Sequence, residues 1–293
     1  MRHAYKQLAV VSGKGGTGKT SIVGSFAALA RSEARRIAIA DCDVDAANLH
    51  LLMQPTIRER HDFPGAKVAR RDPDKCRQAG ECEARCRFDA ITTTSISENA
   101  CEGCGVCVLV CPNNALTLET VVSGEYYDSS SRYGPMAHAR LHPAAESSGK
   151  LVTVVRTEAE NLAAESGAAL ILIDGPPGIG CTAIASVTGT DAVLIVTEPT
   201  LTAIHDMERV AQLTRHFGIP AFVLTNKSDL NAANAALIRE KCSEWRFPLI
   251  GEVPFDDAVP KAIVNLTPPV EYNSGPAAKA IRDAWERLTE ALA

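Results

Sequence analysis

The chain has 293 residues, 46% of them hydrophobic and 22% charged, with a formal net charge of −5. That length and apolar content exclude a disordered chain and suffice for one large or two modest domains. The acidic balance argues against bulk attraction to nucleic acid or anionic lipid, so neither is expected as a partner. No apolar stretch approaches the roughly 20 residues of a membrane span, and no charged-then-apolar leader precedes the first strand-like run, so a cytoplasmic protein is expected. Of ten cysteines, seven crowd between Cys76 and Cys111. In a chain of this size that clustering reads as metal binding in a reducing compartment rather than as a disulfide framework.

The apolar run 8–11 leads through Ser12 into Gly13, Lys14, Gly15, Gly16, Thr17, Gly18, Lys19 and Thr20, and a helix-like run over 21–31 follows. Gly13, Gly18, Lys19 and Thr20 satisfy GxxxxGK(S/T) in the strand, loop, helix context that the pattern requires. Successive amides from Gly13 to Ser21 can curl around a polyphosphate, with Lys19 reaching its β and γ phosphates and the Thr20 hydroxyl ligating magnesium. The bland alternative is a glycine-rich turn that binds nothing. A second buried strand over 36–41 ends in Asp41, Cys42 and Asp43, followed by Asn48 and Leu49. Ligands of open α/β sheets bind at such strand ends, and a carboxylate there can orient a water toward a γ phosphate. Cys42 reads as a core thiol.

From about Gln54 the chain turns short, charged and turn-rich, and it repeats. Cys76, Cys82 and Cys86 recur 25 residues later as Cys101, Cys107 and Cys111, and Ala90-Ile91 recurs as Ala115-Leu116. The second copy, with Cys101, Cys104, Cys107, Cys111 and Pro112, is the complete CxxCxxCxxxCP run of bacterial ferredoxins, whose fourth cysteine serves the other cluster of a two-cluster module. Cys86, Cys101, Cys104 and Cys107 are therefore expected to hold one 4Fe-4S cluster. Cys76, Cys82 and Cys111 form a second, incomplete set, because Ala79 stands where its fourth thiolate belongs. A three-thiolate site can carry 3Fe-4S, 4Fe-4S with an open iron, or no cluster. Arg87 stands where proline usually follows the fourth cysteine, and a zinc ribbon is the rival reading of paired CxxC units.

A strand over 118–122 is expected to close this insert. The polar stretch 123–149 resists assignment; its His138 and His142 read as solvated, with contact to the nucleotide or cluster site as the alternative. The α/β pattern is expected to resume with a strand over 150–156 and a helix over 157–166. A buried strand over 169–174 then ends in Asp174-Gly175-Pro176-Pro177-Gly178, an acid suited to the magnesium side of a nucleotide and a turn suited to sensing a γ phosphate. Further strands over 191–198, 221–227 and 248–254 bring the expected sheet to seven or eight. Asn226 and Asp229 follow one of these strands and can face a base edge; the alternative is a turn with Asx capping. Cys242 shares a helical face with Ile238 and Trp245 and reads as core. The terminal helix has one apolar face and balanced charges on the other, unlike a basic membrane-surface helix.

These motifs together resemble the deviant-Walker-A ATPases of the MinD/ParA/Mrp and nitrogenase iron-protein group, and more closely the MinD-superfamily ATPases with an inserted ferredoxin domain. The resemblance implies an α/β fold, a mostly parallel sheet with helices on both faces as in MinD-like P-loop NTPases, carrying a small α+β ferredoxin-like insert. Residues 1–60 and 123–293 would form the ATPase domain and 61–122 the insert. It further implies a homodimer that sandwiches two ATP molecules, with Lys14 crossing to the partner's phosphates, Lys19 and Thr20 serving their own nucleotide, and Asp43 positioning water. Asp174 would be the magnesium-side acid and Asn226 an adenine contact. Cys181 lies seven residues after Asp174, where the nitrogenase iron protein has a cluster-ligating cysteine on its dimer axis; a packed or redox-sensitive thiol is the other reading.

The resulting expectation is a slow, partner-stimulated ATPase with ATP, magnesium and 4Fe-4S cofactors that couples nucleotide state to electron transfer toward a redox partner. An iron–sulfur carrier serving an apoprotein client is the alternative. A positioning ATPase cycling on membrane or DNA is a third reading, against which the charge balance argues.

Overall fold

The computed structural model describes residues 5–143, 145 and 149–292. The chain divides into two compact units, one made of residues 1–60, 126–139 and 148–293, the other of residues 61–125 and 140–147.

The first unit is built around strands with near-continuous apolar runs, the pattern of a parallel sheet covered on both faces. In chain order come β1 (Lys6–Ser12), α1 (Lys19–Ser32), β2 (Ile37–Asp41), α2 (Leu49–Met53) and β3 (Thr56–Phe63). After the second unit's elements, described below, follow β6 (Gly124–Ser130), β7 (Pro135–Leu141), α5 (Gly149–Ser166), β8 (Leu170–Pro177), α6 (Cys181–Val187), β9 (Ala192–Thr197), α7 (Leu201–His216) and β10 (Ala221–Asn226). The chain closes with α8 (Ala232–Trp245), β11 (Leu249–Val253), α9 (Ala258–Val264), α10 (Pro269–Tyr272) and α11 (Pro276–Leu292). The sheet order is β11-β10-β9-β1-β8-β2-β7-β6-β3. The pairs from β11 through β7 are parallel.

Alternate residues of the central strands, such as Leu8, Val10, Ile39, Leu172 and Leu194, join Phe26 of α1 and Trp285 of α11 in one core cluster. The opposite parity, including Ala9, Ala38, Ile171, Ile173 and Val193, is equally buried, and α5 packs on β2 and β8. The Trp285 ring lies 5.1 Å from that of Phe26, tilted by 45°, and its Nε1 donates to Glu33. The apolar face of α11 is thus spent on the core. Among the described residues no helix is long and apolar enough to cross a membrane.

Three expectations are corrected. The strand expected over 150–156 is the first half of α5, because Leu151, Val152, Val155, Ala159, Leu162 and Ala163 are buried at helical spacing; that stripe outweighs the β-branched residues that suggested a strand. The stretch 123–149 supplies β6 and β7, which with β3 bring the sheet to nine strands instead of seven or eight; its residues 144 and 146–148 lie outside the described ones. His142 is exposed, as its solvated reading has it, but His138 is largely buried. His138 Nε2 lies 2.9 Å from Ser129 Oγ, and its ring lies 4.9 Å from that of Tyr127.

Burial, with a smaller contribution from His50, lowers the His138 pKa to about 4. Between an unfolded value near 6.5 and that value, the unfolded chain takes up a proton that the folded chain refuses. Stability is therefore expected to fall by up to about 3 kcal/mol from this residue as pH drops from about 6.5 to about 4. Urea unfolding across that range should show a flatter pH dependence for His138→Gln than for the parent; equal slopes would refute the assignment.

The second unit holds β4 (Ala66–Arg71) antiparallel to β5 (Leu116–Val121), in register from Ala66 opposite Val121 to Arg71 opposite Leu116. Between them lie the short helices α3 (Glu81–Ala84) and α4 (Val106–Val110), whose first residues are 25 apart like the cysteines. Its buried apolar residues include Val68, Ala69, Ala90, Ile91, Ala115 and Leu116.

Candidate nucleotide site and cysteine cavities

The carboxyl ends of three neighbouring strands meet at one edge. β8 lies between β1 and β2, and its Asp174 is in register with Val10 on one side and Asp41 on the other. The loop leaving β1 therefore faces the acids that end β2 and β8, at the place where open α/β sheets bind ligands. Two glycines of the loop are required by space. A Cβ on Gly13 would stand 2.5 Å from the backbone carbon of Asp206, and one on Gly18, at φ +88°, would stand 2.3 Å from Asn226 Nδ2.

Lys19 is the pivot of this edge. Its Nζ lies 2.6 Å from Asp174 Oδ1 and 3.5 Å from Asp43 Oδ2, and Thr20 Oγ1 donates to Asp174 Oδ2 at 2.8 Å. Burial alone would lower the Lys19 pKa, but the charge and hydrogen bond of Asp174, with the charges of Asp43 and Asp41, raise it. Burial pushes Asp41 well above the usual carboxylate range, and Asp174 adds to the effect. Burial also raises Asp43, against the opposing pull of Lys19. Asp43 N donates to Asp41 Oδ1, whereas Asp41 Oδ2 and Thr17 Oγ1 are buried without a partner.

Three carboxylates thus face a single ammonium, and the edge has an excess of oxygen donors suited to a hard divalent cation. Thr20 and Asp174 would hold magnesium, which neutralises phosphate charge when bound. Lys19 would exchange its carboxylate partners for phosphate oxygens, and Asp43, on the same cavity, would accept or orient a water proton. That cavity, about 1040 Å³, is lined by Gly15 to Ser21, Asp43 and Asn48, with Leu51, Leu52 and Ile263 as an apolar wall.

Other expected site residues lie elsewhere. Lys14 does not line the cavity; its Nζ pairs with Glu198 Oε1 at 2.7 Å and reaches Thr200 Oγ1 at 3.4 Å. Glu198 also binds Lys227, which in turn donates to Gly16 O. Both lysines lower the Glu198 pKa against the effect of burial. Asn226 uses its amide within the chain, Nδ2 donating to Thr17 O and Oδ1 accepting from Lys227 N, so it braces the phosphate loop. Asp229 accepts from Phe255 N. Cys181 is exposed at the start of α6. Cys42 and Cys242 are buried thiols with raised pKa, that of Cys242 to about 11. Glu198 escaped the sequence reading because a strand-end glutamate carries no local signal of two lysine partners.

In the second unit the cysteines separate into two groups. Cys86, Cys101, Cys104 and Cys107 line one recess, and Cys76, Cys82 and Cys111 line another beside Ala79. Backbone amides donate to the sulfurs, Ala69 N to Cys101, Ala90 N to Cys86 and Ala115 N to Cys111, at 3.3–3.4 Å. Among the described residues no three His, Cys, Asp or Glu side chains converge as ligands of one metal ion. An iron–sulfur cluster makes a different demand: its thiolates bind different irons and surround a volume. The four-cysteine cavity fits that demand in donor type, number and amide support.

A glycine-rich phosphate loop after the first strand, facing acids from two neighbouring strands of a mostly parallel sheet, defines a P-loop nucleotide-binding protein. The chain belongs to the family CbiA, the CobQ/CobB/MinD/ParA nucleotide binding domain, which matches residues 8–270. It is 32% identical over 284 residues to "Uncharacterized protein MJ0578" of Methanocaldococcus jannaschii, covering 97% of this chain and 96% of that one. It is 24% identical to the septum site-determining protein MinD of Buchnera aphidicola, covering 96% and 90%. Among solved structures it resembles the cell division ATPase MinD of Pyrococcus furiosus (TM-score 0.60, 19% identity, 98% and 99% covered). It also resembles MinD of Pyrococcus horikoshii complexed with Mg-ADP (TM-score 0.62, 16% identity, 98% and 97% covered). These two likenesses establish the MinD-like fold.

Proposed function

We propose that this chain is a homodimeric, MgATP-hydrolysing ATPase whose nucleotide state controls the redox behaviour of an iron–sulfur cluster held by residues 61–122. The observation that carries the reading is the gathering of Cys86, Cys101, Cys104 and Cys107 around one cavity, in a chain that also carries the Lys19, Asp43 and Asp174 cradle. Family membership supports ATP hydrolysis, and the Mg-ADP complex of the Pyrococcus horikoshii relative supports magnesium nucleotide as the ligand. Lys14 would leave Glu198 to meet a partner's phosphates. A covalent route for coupling exists in the chain itself. Leu51 and Leu52 of α2 line the nucleotide cavity, and α2 ends three residues before β3, the strand that leads into the cysteine unit.

Cluster potential follows charge, hydrogen bonding and exposure, so a nucleotide that favours one redox state must shift it. Anaerobic redox titration with MgATP is expected to move the midpoint by about 60 mV or more, the shift that a tenfold difference in ATP affinity between the two redox states produces. Identical titrations with and without MgATP would remove the coupling. Delivery of iron and sulfide to an apoprotein client is a second reading, favoured by the exposure of Ala79 beside the three-thiolate cavity. ATP-stimulated transfer of iron to an acceptor would distinguish it from electron transfer.

A further inference from the structure

The two cysteine cavities are near copies that differ at one ligand position. Gly103 and Gly105 flank Cys104 at φ +61° and +77°, and Gln78 and Gly80 flank Ala79 at φ +54° and +85°. Helices α3 and α4 follow the two loops at the same offset. The amide contacts repeat as well, from Ala90 N to Cys86 and from Ala115 N to Cys111. A left-handed backbone is unfavourable for a residue such as Gln78. The first copy nevertheless keeps that loop, and Cys76, Cys82 and Cys111 still line one recess with Ala79 although position 79 offers no thiolate.

The linings differ in charge. The four-cysteine cavity has Glu102 and no lysine or arginine, whereas the three-cysteine cavity has Arg71 and Arg77 against Glu81 alone. Four thiolates are thus accommodated without a cation, so balancing three thiolates does not account for two arginines. Arg71 donates from one terminal nitrogen to Thr92 O, which anchors it, and guanidinium groups pair best with carboxylates. Ala79, like Cys104, is exposed, so the coordination position it leaves open faces solvent.

We propose that Cys76, Cys82 and Cys111 hold a four-iron cluster whose fourth iron, beside Ala79, takes a small carboxylate-bearing anion from solution, oriented by Arg71 and Arg77. The inference rests on the iron–sulfur reading of the insert. Binding is coordination without electron transfer: the ligand's donor atom gives a lone pair to the iron and displaces solvent, and a thiol ligand releases its proton to bulk.

The full-length chain, reconstituted anaerobically with iron and sulfide, would be compared with Cys82→Ser, Cys104→Ser, Ala79→Cys, Glu81→Gln and Arg71→Gln by iron analysis and EPR of the reduced state. Mercaptoacetate and ethanethiol, which share a thiolate donor but differ in the carboxylate, are the probes. Mercaptoacetate is expected to change the spectrum at about one-tenth of the ethanethiol concentration. Arg71→Gln should erase that preference, and Ala79→Cys should abolish the response to both. The inference is overturned if Cys82→Ser loses no iron while Cys104→Ser does, a result that leaves the insert's other cluster intact. It is also overturned by a three-iron signal that ferrous iron does not convert, by an unchanged response in Ala79→Cys, or by a spectrum that Glu81→Gln alters and mercaptoacetate does not. If neither Cys82→Ser nor Cys104→Ser lowers the iron content, the iron–sulfur reading fails with it.

Discussion

Replacing Lys19 with alanine is expected to abolish ATP hydrolysis and to destabilise the nucleotide-free protein by about 3–5 kcal/mol at neutral pH, the cost of removing one partner from a buried ion pair. Lys19 is the cation shared by Asp174 at 2.6 Å and Asp43 at 3.5 Å. Without it, Asp41 and Asp43 lose the cation that opposes the effect of their burial, and their folded-state pKa values rise further. A raised acid pKa means that the folded chain holds protons which the unfolded chain releases, so stability falls as pH increases from the unfolded value through the folded one. The deficit of Lys19→Ala relative to the parent should therefore be larger at pH 8 than at pH 5, as measured by urea unfolding at both. A pH-independent deficit would show that the loss lies in packing alone, and retained hydrolysis would remove Lys19 from the mechanism.

On the proposed iron–sulfur reading, iron removal is expected to unfold the cysteine unit selectively. Among its described residues the buried apolar side chains larger than alanine are Phe63, Val68, Ile91 and Leu116, too small an interior to offset the ordering of some sixty residues. In such units ligand binding supplies the folding energy. Anaerobic chelation should accelerate amide exchange in β4 and β5 by about 100-fold or more, the equivalent of about 3 kcal/mol of local stability. Amides of β1 and β8, in a sheet with its own extensive core, should stay protected. Unchanged protection in β4 and β5 would mean that the unit folds without metal.

What the sequence alone determined was local in the chain. The phosphate loop between β1 and α1, the acids at the ends of β2 and β8, and the 25-residue cysteine repeat are spacing patterns, and spacing is a covalent property that needs no partner. Patterns of burial were legible only where one period dominated. The run 150–156 carries β-branched residues inside a helical stripe, and only packing against β2 and β8 decided for helix. Contacts between distant residues were beyond reach. Asp174 meets Lys19 across 155 positions, and Asn226 braces Thr17 across 209. The pairing of Lys14 and Lys227 on Glu198, the burial of His138 against Tyr127, and the unpartnered oxygen of Asp41 likewise exist only once the strands are ordered. These features depend on which strand ends become neighbours, a choice made by the core as a whole, and so the tertiary structure alone decided them.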